Sequence, residues 1–428
     1  MRDLDRRLAG LSPEKRRLLE RRLAREGLAR DTAGPAPPAA SAAVPFDLPD
    51  GAAGLARGRA RLTERGMGFG LFFFSADGST DSDDKYRLLL ETARLADREG
   101  LSAVWTPERH FQDFGGLYPN PSVLGAALAV ATERLQIRAG SVVLPLHHPV
   151  RVVEEWSVVD NLSGGRAAIS VASGWHPSDF VLRPEGYEER KEVMFRDLEL
   201  VRRLWRGEEV DLPGGDGRDY PARALPRPVQ AELPVWVTSS GSAATWERAG
   251  RAGANLLASL GSQPPAELGE KIGRYRRARR AAGHDPEAGV VSLMLHTLLG
   301  DDLDRVKDRV REPLTAYLRT HLAQRDSFLE IPGITEADKE ALLPMAFEHY
   351  VRSASLVGTP ESCRGVVEGL AALGVDELAC LVDFGLGLDE VLASVERLAG
   401  LAREYRRPVP GRAAAEAEVA DARAEGGR

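Results

Sequence analysis

The sequence predicts an α/β protein, a (β/α)8 TIM barrel with an insertion after strand 7 and a short helical segment at the N-terminus. Three observations predict it. Eight short apolar segments, each followed by a helical pattern, alternate between residues 67 and 402. Several are near-continuous runs of Val, Ile, Leu and Ala, which suits parallel strands buried on both faces. No Gly-x-Gly-x-x-Gly pattern follows the first strand, which favours a closed barrel over an open doubly wound sheet.

The elements follow in order. Met67–Phe74 (MGFGLFFF) is strand 1, and its helix runs from about Asp83 to Glu99. Ser102–Thr106 is strand 2; Asn120-Pro121 then caps a helix reaching about Glu133. Leu135–Val143 is strand 3, with a helix over Val150–Asn161, and Arg166–Ala172 is strand 4, with a long helix ending near Leu204-Trp205. Pro234–Thr238 is strand 5, its helix starting at Ser242, and Ala254–Ala258 is strand 6, before a basic helix closed by Gly283. Val290–Leu298 is strand 7, Asp376–Phe384 is strand 8, and a final helix covers Leu388–Ala402. The excess over a barrel of about 250 residues falls between Asp301 and Gly358.

The flanks differ in composition. In residues 1–30, Leu4, Leu8 and Leu11 share a helical face, and Ser12-Pro13-Glu14 reads as an N-cap with proline at N1. That segment holds ten basic and five acidic residues, although the whole chain of 428 residues carries a net charge of -7. Residues 31–64 read as a Pro/Ala-rich linker, residues 65–405 as the barrel, and residues 406–428 as a disordered tail.

Composition excludes several classes. The acidic balance argues against general nucleic-acid binding. No apolar run approaches the roughly 20 residues that cross a bilayer, and no apolar stretch follows the opening MRDLDRRLAG as in a secretory signal. Cys363 and Cys380 lack metal-ligand spacing and read as reduced thiols of a cytoplasmic protein.

In such barrels the chemistry sits where the strands end. Strand 2 runs into Thr106-Pro-Glu-Arg-His110-Phe-Gln-Asp-Phe-Gly. His110 can move a proton near neutral pH, or simply bond a neighbouring carbonyl; Glu108 either orients His110 or pairs with Arg109. After strand 3, Leu144-Pro-Leu-His-His-Pro-Val-Arg151 brings an arginine suited to an anion. His147 and His148 diverge as sequence neighbours and lack a third ligand, so no metal is expected. Leu162-Ser-Gly-Gly-Arg166 is a turn whose arginine binds an anion or faces water. Trp175 is a wall for a ligand or a packing residue, and His176 lies on the substrate side. After strand 5, Thr238-Ser-Ser-Gly-Ser-Ala-Ala-Thr245 opens a helix, so its N-terminus can hold an anion while Ser242 caps it.

Taken in order, these strand-end motifs resemble the bacterial luciferase-like FMN-dependent monooxygenases, over roughly Met67 to Ala402. Within that family GFGLFFF, RLLLETARLADREGLSAVWTPERHF and Lys191-Glu-Val-Met-Phe195 are similar to the monooxygenase domains of natural-product assembly lines. The resemblance implies a flavoprotein oxidoreductase that uses reduced FMN, supplied by a separate flavin reductase, with O2 as co-substrate. It implies that His110, with Glu108, works beside the flavin ring, and that backbone at Ser141, Val142, Ala172 and Ser173 passes close to that ring. It further implies that Arg151, Arg166, Ser240, Gly241, Ser242 and Thr245 meet the phosphate, and that the chain pairs as a homodimer. Leu11-Ser-Pro-Glu-Lys-Arg-Arg-Leu-Leu-Glu20 resembles segments at the edges of nonribosomal peptide synthetase modules. Residues 1–30 thus read as docking to a carrier protein or a peptide/polyketide synthase module, or as an oligomer contact or a fraying tail. Hydride transfer with deazaflavin F420, and a non-catalytic flavin-binding or structural subunit, are the competing readings.

Overall fold

The computed structural model describes residues 48, 50–74, 84–112, 116–239, 241–260, 264–324, 343–344, 347–348, 350–352 and 354–406. Eight parallel strands close on themselves: β1 (Gly68–Phe72), β2 (Ala103–Thr106), β3 (Gln136–Val143), β4 (Ala167–Ala172), β7 (Val235–Thr238), β8 (Asn255–Ser259), β9 (Val291–Leu299) and β11 (Glu377–Leu381). The ring follows chain order and closes where β11 pairs with β1, Gly68 opposite Glu377 through Phe72 opposite Leu381. β5 (Val210–Pro213) and β6 (Asp219–Ala222) form a separate antiparallel hairpin, and β10 (Ser355–Gly358) pairs with the last four residues of β9.

The helices clothe the ring: α1 (Gly51–Arg65), α2 (Arg87–Glu99), α3 (Pro121–Ala131), α4 (Pro149–Ser163), α5 (Arg190–Arg206), α6 (Ala243–Arg251), α7 (Pro265–Ala281), α8 (Leu303–Gln324), α9 (Pro360–Leu373) and α10 (Leu388–Glu404). Caps set their starts, as where the Asn120 carboxamide oxygen accepts from the Ser122 and Val123 N–H groups. Gly100, Gly164, Gly207 and Gly374 end four of them in the left-handed region. Trp105, Trp156, Trp205 and Trp246 are fully buried. No described helix is long and apolar enough to cross a membrane.

Residues 51–64 of the expected linker instead belong to the packed helix α1. Gly54, Gly58 and Leu62 are its buried residues; a Cβ at Gly58 would stand 1.9 Å from the Glu368 carbonyl oxygen of α9, and one at Gly54 would stand 2.9 Å from the Leu48 side chain. Small residues that look like linker composition therefore serve close helix packing. Residues 1–30, 31–47 and 407–428, with the docking, linker and tail readings made for them, lie outside the described residues.

The floor of the barrel carries a polar network. Arg138 of β3 donates to Glu377 at 2.5 Å and to Gln136 at 2.7 and 2.9 Å. Glu377 also accepts from Ser292 at 2.5 Å and Ser102 at 2.8 Å. The guanidinium lies between Trp105 and Trp236, 4.6 and 4.3 Å from the ring centres.

Candidate active site at the mouth of the barrel

At the opposite end β3 and β4 finish opposite each other, Val143 beside Ala172, while β2 stops at Thr106 opposite Ala139 and the loop after it reaches the end of β3. Glu108, two residues past β2, is buried there. Its Oε1 meets His110 Nε2 at 2.9 Å and His147 Nε2 at 2.6 Å; its Oε2 accepts the Val143 N–H at 2.6 Å. Burial alone would push this carboxyl up, but the two imidazoles and the amide outweigh it and hold it below the usual carboxylate range. Glu108 is thus hydrogen-bonded to His110, the contact that the first of its two expected roles requires.

Arg109 turns elsewhere. Its guanidinium lies 5.1 Å from the Phe74 ring centre and 5.9 Å from that of Trp175, and its backbone N–H donates to the Tyr118 carbonyl at 2.9 Å. Burial lowers its pKa, opposed by the charge of Asp179. The Asp179 carboxyl is itself pushed up by burial, against the pull of Arg109, His110 and His176. Phe180 fixes this turn by packing on Val143 and Leu146. Next to it, Trp175 stands exposed at the rim, edge-on to His176 at 5.3 Å, and His176 Nδ1 bonds Ser178 at 2.5 Å. His110 is followed by Phe111, an exposed bulky residue with φ 57, a costly backbone state of the kind that concentrates at functional sites.

A chain of hydroxyls crosses three neighbouring strands. Ser141 of β3 meets Thr238 of β7 at 2.5 Å, and Thr238 meets Ser170 of β4 at 2.6 Å. The Gly140–Ser141 peptide is cis, and the β3–β4 register shifts between Gly140 and Val142. A Cβ at Gly140 would lie 2.8 Å from the Phe72 ring, so only glycine fits there. Val142 is buried behind this turn, while Ala172 and Ser173 at the end of β4 stay partly exposed.

β7 then runs into α6. Ser242 caps that helix, its Oγ accepting from Thr245 N–H at 3.3 Å, and Trp246 Nε1 ties the loop through the Ser239 carbonyl at 3.0 Å. Gly241 is exposed with open space where a Cβ would point. Ser240 lies outside the described residues. The other wall belongs to the insertion and β11. His296 Nδ1 bonds the Tyr350 hydroxyl at 2.7 Å and its ring meets Tyr317 at 4.2 Å, while Asp383 accepts from Tyr118 at 2.9 Å.

Two expected phosphate ligands are not brought to this end. Arg166 precedes β4 and so stands at the floor end. Its guanidinium donates to the Ala129, Thr132, Leu135 and Ser163 carbonyls and to Thr132 Oγ1, holding the C-terminus of α3. Arg151 lies on the outer face of α4, two-thirds exposed, 2.9 Å from Glu155. The expected cradle of two cations and one helix end reduces to the helix end.

His147 is the residue whose part in the site the sequence reading missed. Its signal was its position just past strand 3, beside the strand that carries Glu108. Among the described residues no group of three or more His, Cys, Asp and Glu could hold a metal ion. Both cysteines are buried, their thiols pushed up to about 12 by desolvation.

The family model described as luciferase-like monooxygenase matches residues 67–377. The oxygenase component of the flavin-dependent trigonelline monooxygenase of Acinetobacter baylyi is 25% identical over 342 residues, covering 78% of this chain and 93% of that protein. Among solved structures, the monooxygenase RslO1 of Streptomyces bottropensis superposes with a TM-score of 0.66 at 23% identity, covering 79% of this chain and 100% of that one. The oxygenating constituent of 3,6-diketocamphane monooxygenase of Pseudomonas putida, solved in complex with FMN, gives 0.65 at 19% identity, with 79% and 98% covered.

Proposed function

The chain belongs to the luciferase-like monooxygenase family, and from that premise we propose that it is the oxygenase of a two-component system. It takes reduced FMN from a separate flavin reductase and uses O2 to oxygenate an organic substrate. The observation that carries this reading is the His110–Glu108–His147 cluster at the barrel mouth, with a capped helix N-terminus at the end of β7.

The residues present fit a phosphorylated flavin. The N-terminus of α6 supplies N–H groups and a positive dipole end beside the open space at Gly241, and Ser242 and Thr245 add hydroxyls. Ser141, Val142, Ala172 and Ser173 form the floor for the ring. Bound reduced flavin supplies the two electrons that let one oxygen atom of O2 enter the substrate while the other leaves as water. The protein's own part is to hold the ring, exclude water and move a proton at His110, whose Nε2 is fixed by Glu108. Trp175 and His176 face the substrate side. A substrate carried on a carrier protein in natural-product assembly, docked through residues 1–30, is the finer form of the proposal. It rests on the sequence motifs quoted above. A cytoplasmic location fits the two buried free thiols.

The test is an anaerobic titration of the purified chain with reduced FMN and, separately, reduced F420, followed by mixing with O2. Tight binding of reduced FMN and its O2-dependent oxidation support the oxygenase. Preference for F420 without reaction with O2 would replace it by hydride transfer. Failure to bind either would make the chain a structural subunit.

The homodimer belongs to the same proposal. Val123 and Val130 of α3 are 64% and 72% exposed, and Val158 and Leu162 of α4 are 42% and 48% exposed. Val123 and Val158 line a groove of about 430 Å³ edged by Arg151, Glu154 and Glu155. Combining Val123→Glu and Val158→Glu is expected to convert a dimer to a monomer in light scattering. A wild-type chain already monomeric at micromolar concentration would refute the dimer.

A further inference from the structure

We infer that His147 is a positioning residue of this site: it shares one oxygen of Glu108 with His110 and so sets how much of that carboxylate's charge the inner imidazole can use. The inference rests on the reading of His110 as the group that moves a proton.

Both imidazoles reach the same atom, Oε1, at 2.9 and 2.6 Å, while the second oxygen is taken by the Val143 N–H at 2.6 Å. An ionised carboxylate only accepts hydrogen bonds. Each ring must therefore carry its proton on Nε2, which leaves Nδ1 of His110 as its exchanging atom. His147 is the outer ring, with its side chain 30% exposed against 12% for His110, and the Glu108 side chain between them is sealed from solvent. His147 can thus equilibrate with bulk water while His110 sits inside.

The surroundings of His147 are charged on several sides. Glu108 comes from the loop after β2, Glu155 from α4, and Arg183 from the turn after β4, where its Nη1 donates to the His147 carbonyl at 2.8 Å. Asp197 of α5 stands 4.0 Å from Arg183 and draws on its charge. Burial pulls the His147 pKa down, but the hydrogen bond to Glu108 and the charges of Glu108 and Glu155 outweigh burial and Arg183, so the net direction is up. Charged His147 therefore persists above the usual histidine range. While it is charged, it offsets the carboxylate on which His110 also relies. As pH rises through that titration, His147 loses its charge and the Glu108 carboxylate acts on His110 without that offset. A donor that only braced the loop would transmit no such signal.

The experiment is a histidine ring 15N titration of the full chain, without flavin, with signals assigned through His110→Asn and His147→Gln. Glutamine keeps an N–H donor near the position of Nε2 but cannot titrate. In the wild type, the His110 ring signals are expected to show an inflection at the His147 midpoint, with both neutral rings protonated on Nε2. In His147→Gln that inflection disappears while the Nε2 tautomer of His110 stays. In Glu108→Gln the His147 midpoint falls towards the ordinary histidine value. Superposable His110 curves in wild type and His147→Gln would overturn the proposal, as would a His147 midpoint unmoved in Glu108→Gln. If Glu108→Gln does not fold, His147→Gln alone decides. No step uses FMN or O2, so failure of the oxygenase reading would appear in the flavin titration and leave this result standing.

Discussion

Arg138→Met is expected to lower the stability of the chain by about 3–5 kcal/mol, read as a fall in the urea midpoint. Methionine fills most of the slot between Trp105 and Trp236, so little of the loss is packing. The loss comes from Glu377, whose side chain is 5% exposed and would keep a buried charge without its cation. The double change Arg138→Met with Glu377→Gln removes that charge and should recover most of the midpoint, with Ser102 and Ser292 still bonding the amide. The pH dependence has a definite sign. Burial pushes the Glu377 carboxyl up, but Arg138 and the two serines outweigh it and hold it below the usual range. Its stabilisation is present above the ordinary carboxylate pKa and is lost as pH falls through the lowered folded value. In Arg138→Met the carboxyl instead takes up a proton more readily, so the gap between variant and wild type should narrow towards acid pH. A gap that stays constant or widens there would show that the network does not act through Glu377.

That network lay within the predicted strands yet was not legible in them. An arginine inside an apolar run is a single letter, and nothing in the sequence says that Glu377 of the last strand closes beside it. The eight barrel strands were legible because burial on both faces leaves continuous apolar runs, as in AAISVA and VWVT. β5 and β6 were not, because Val210–Pro213 and Asp219–Ala222 are largely exposed and contain prolines. β10 was hidden inside what read as a helical insertion.

At the site, each motif could be read alone, but their meeting could not. Glu108 and His147 are 39 residues apart and meet because β2 and β3 are parallel neighbours and the loop after β2 reaches the end of β3. The pairing of His147 with His148 in sequence drew attention to a metal and away from the carboxylate across the strand. Arg166 shows the opposite error. A residue before a parallel strand belongs to the floor of a barrel, and that rule outweighed the motif likeness that assigned it to the phosphate.

The phosphate assignment now rests on the α6 end, and Gly241→Asp tests it. A Cβ at Gly241 meets nothing within 4 Å, so the side chain enters without disturbing the fold. An acid beside a helix N-terminus is also favourable to the helix. Thermal stability should therefore be unchanged or slightly higher. Binding should not be. A carboxylate about 6 Å from one phosphate charge repels it by about 3 kcal/mol at an effective dielectric of about 20, or roughly 100-fold in Kd. Equilibrium titration with FMN should show that loss, and riboflavin, which has the same ring and no phosphate, should bind the variant as it binds the wild type. Arg151→Ala should leave FMN affinity unaltered, because its guanidinium is spent on Glu155 at the outer surface. Arg166→Ala should lower stability through the freed carbonyls of α3 and leave the affinity of the folded protein alone. If Gly241→Asp weakened FMN and riboflavin equally, the loop would be touching the ring and the phosphate would lie elsewhere. If it weakened neither, the helix end would be an ordinary cap, and Arg109 would become the cation to replace next, because it is the arginine that the walls of the mouth enclose.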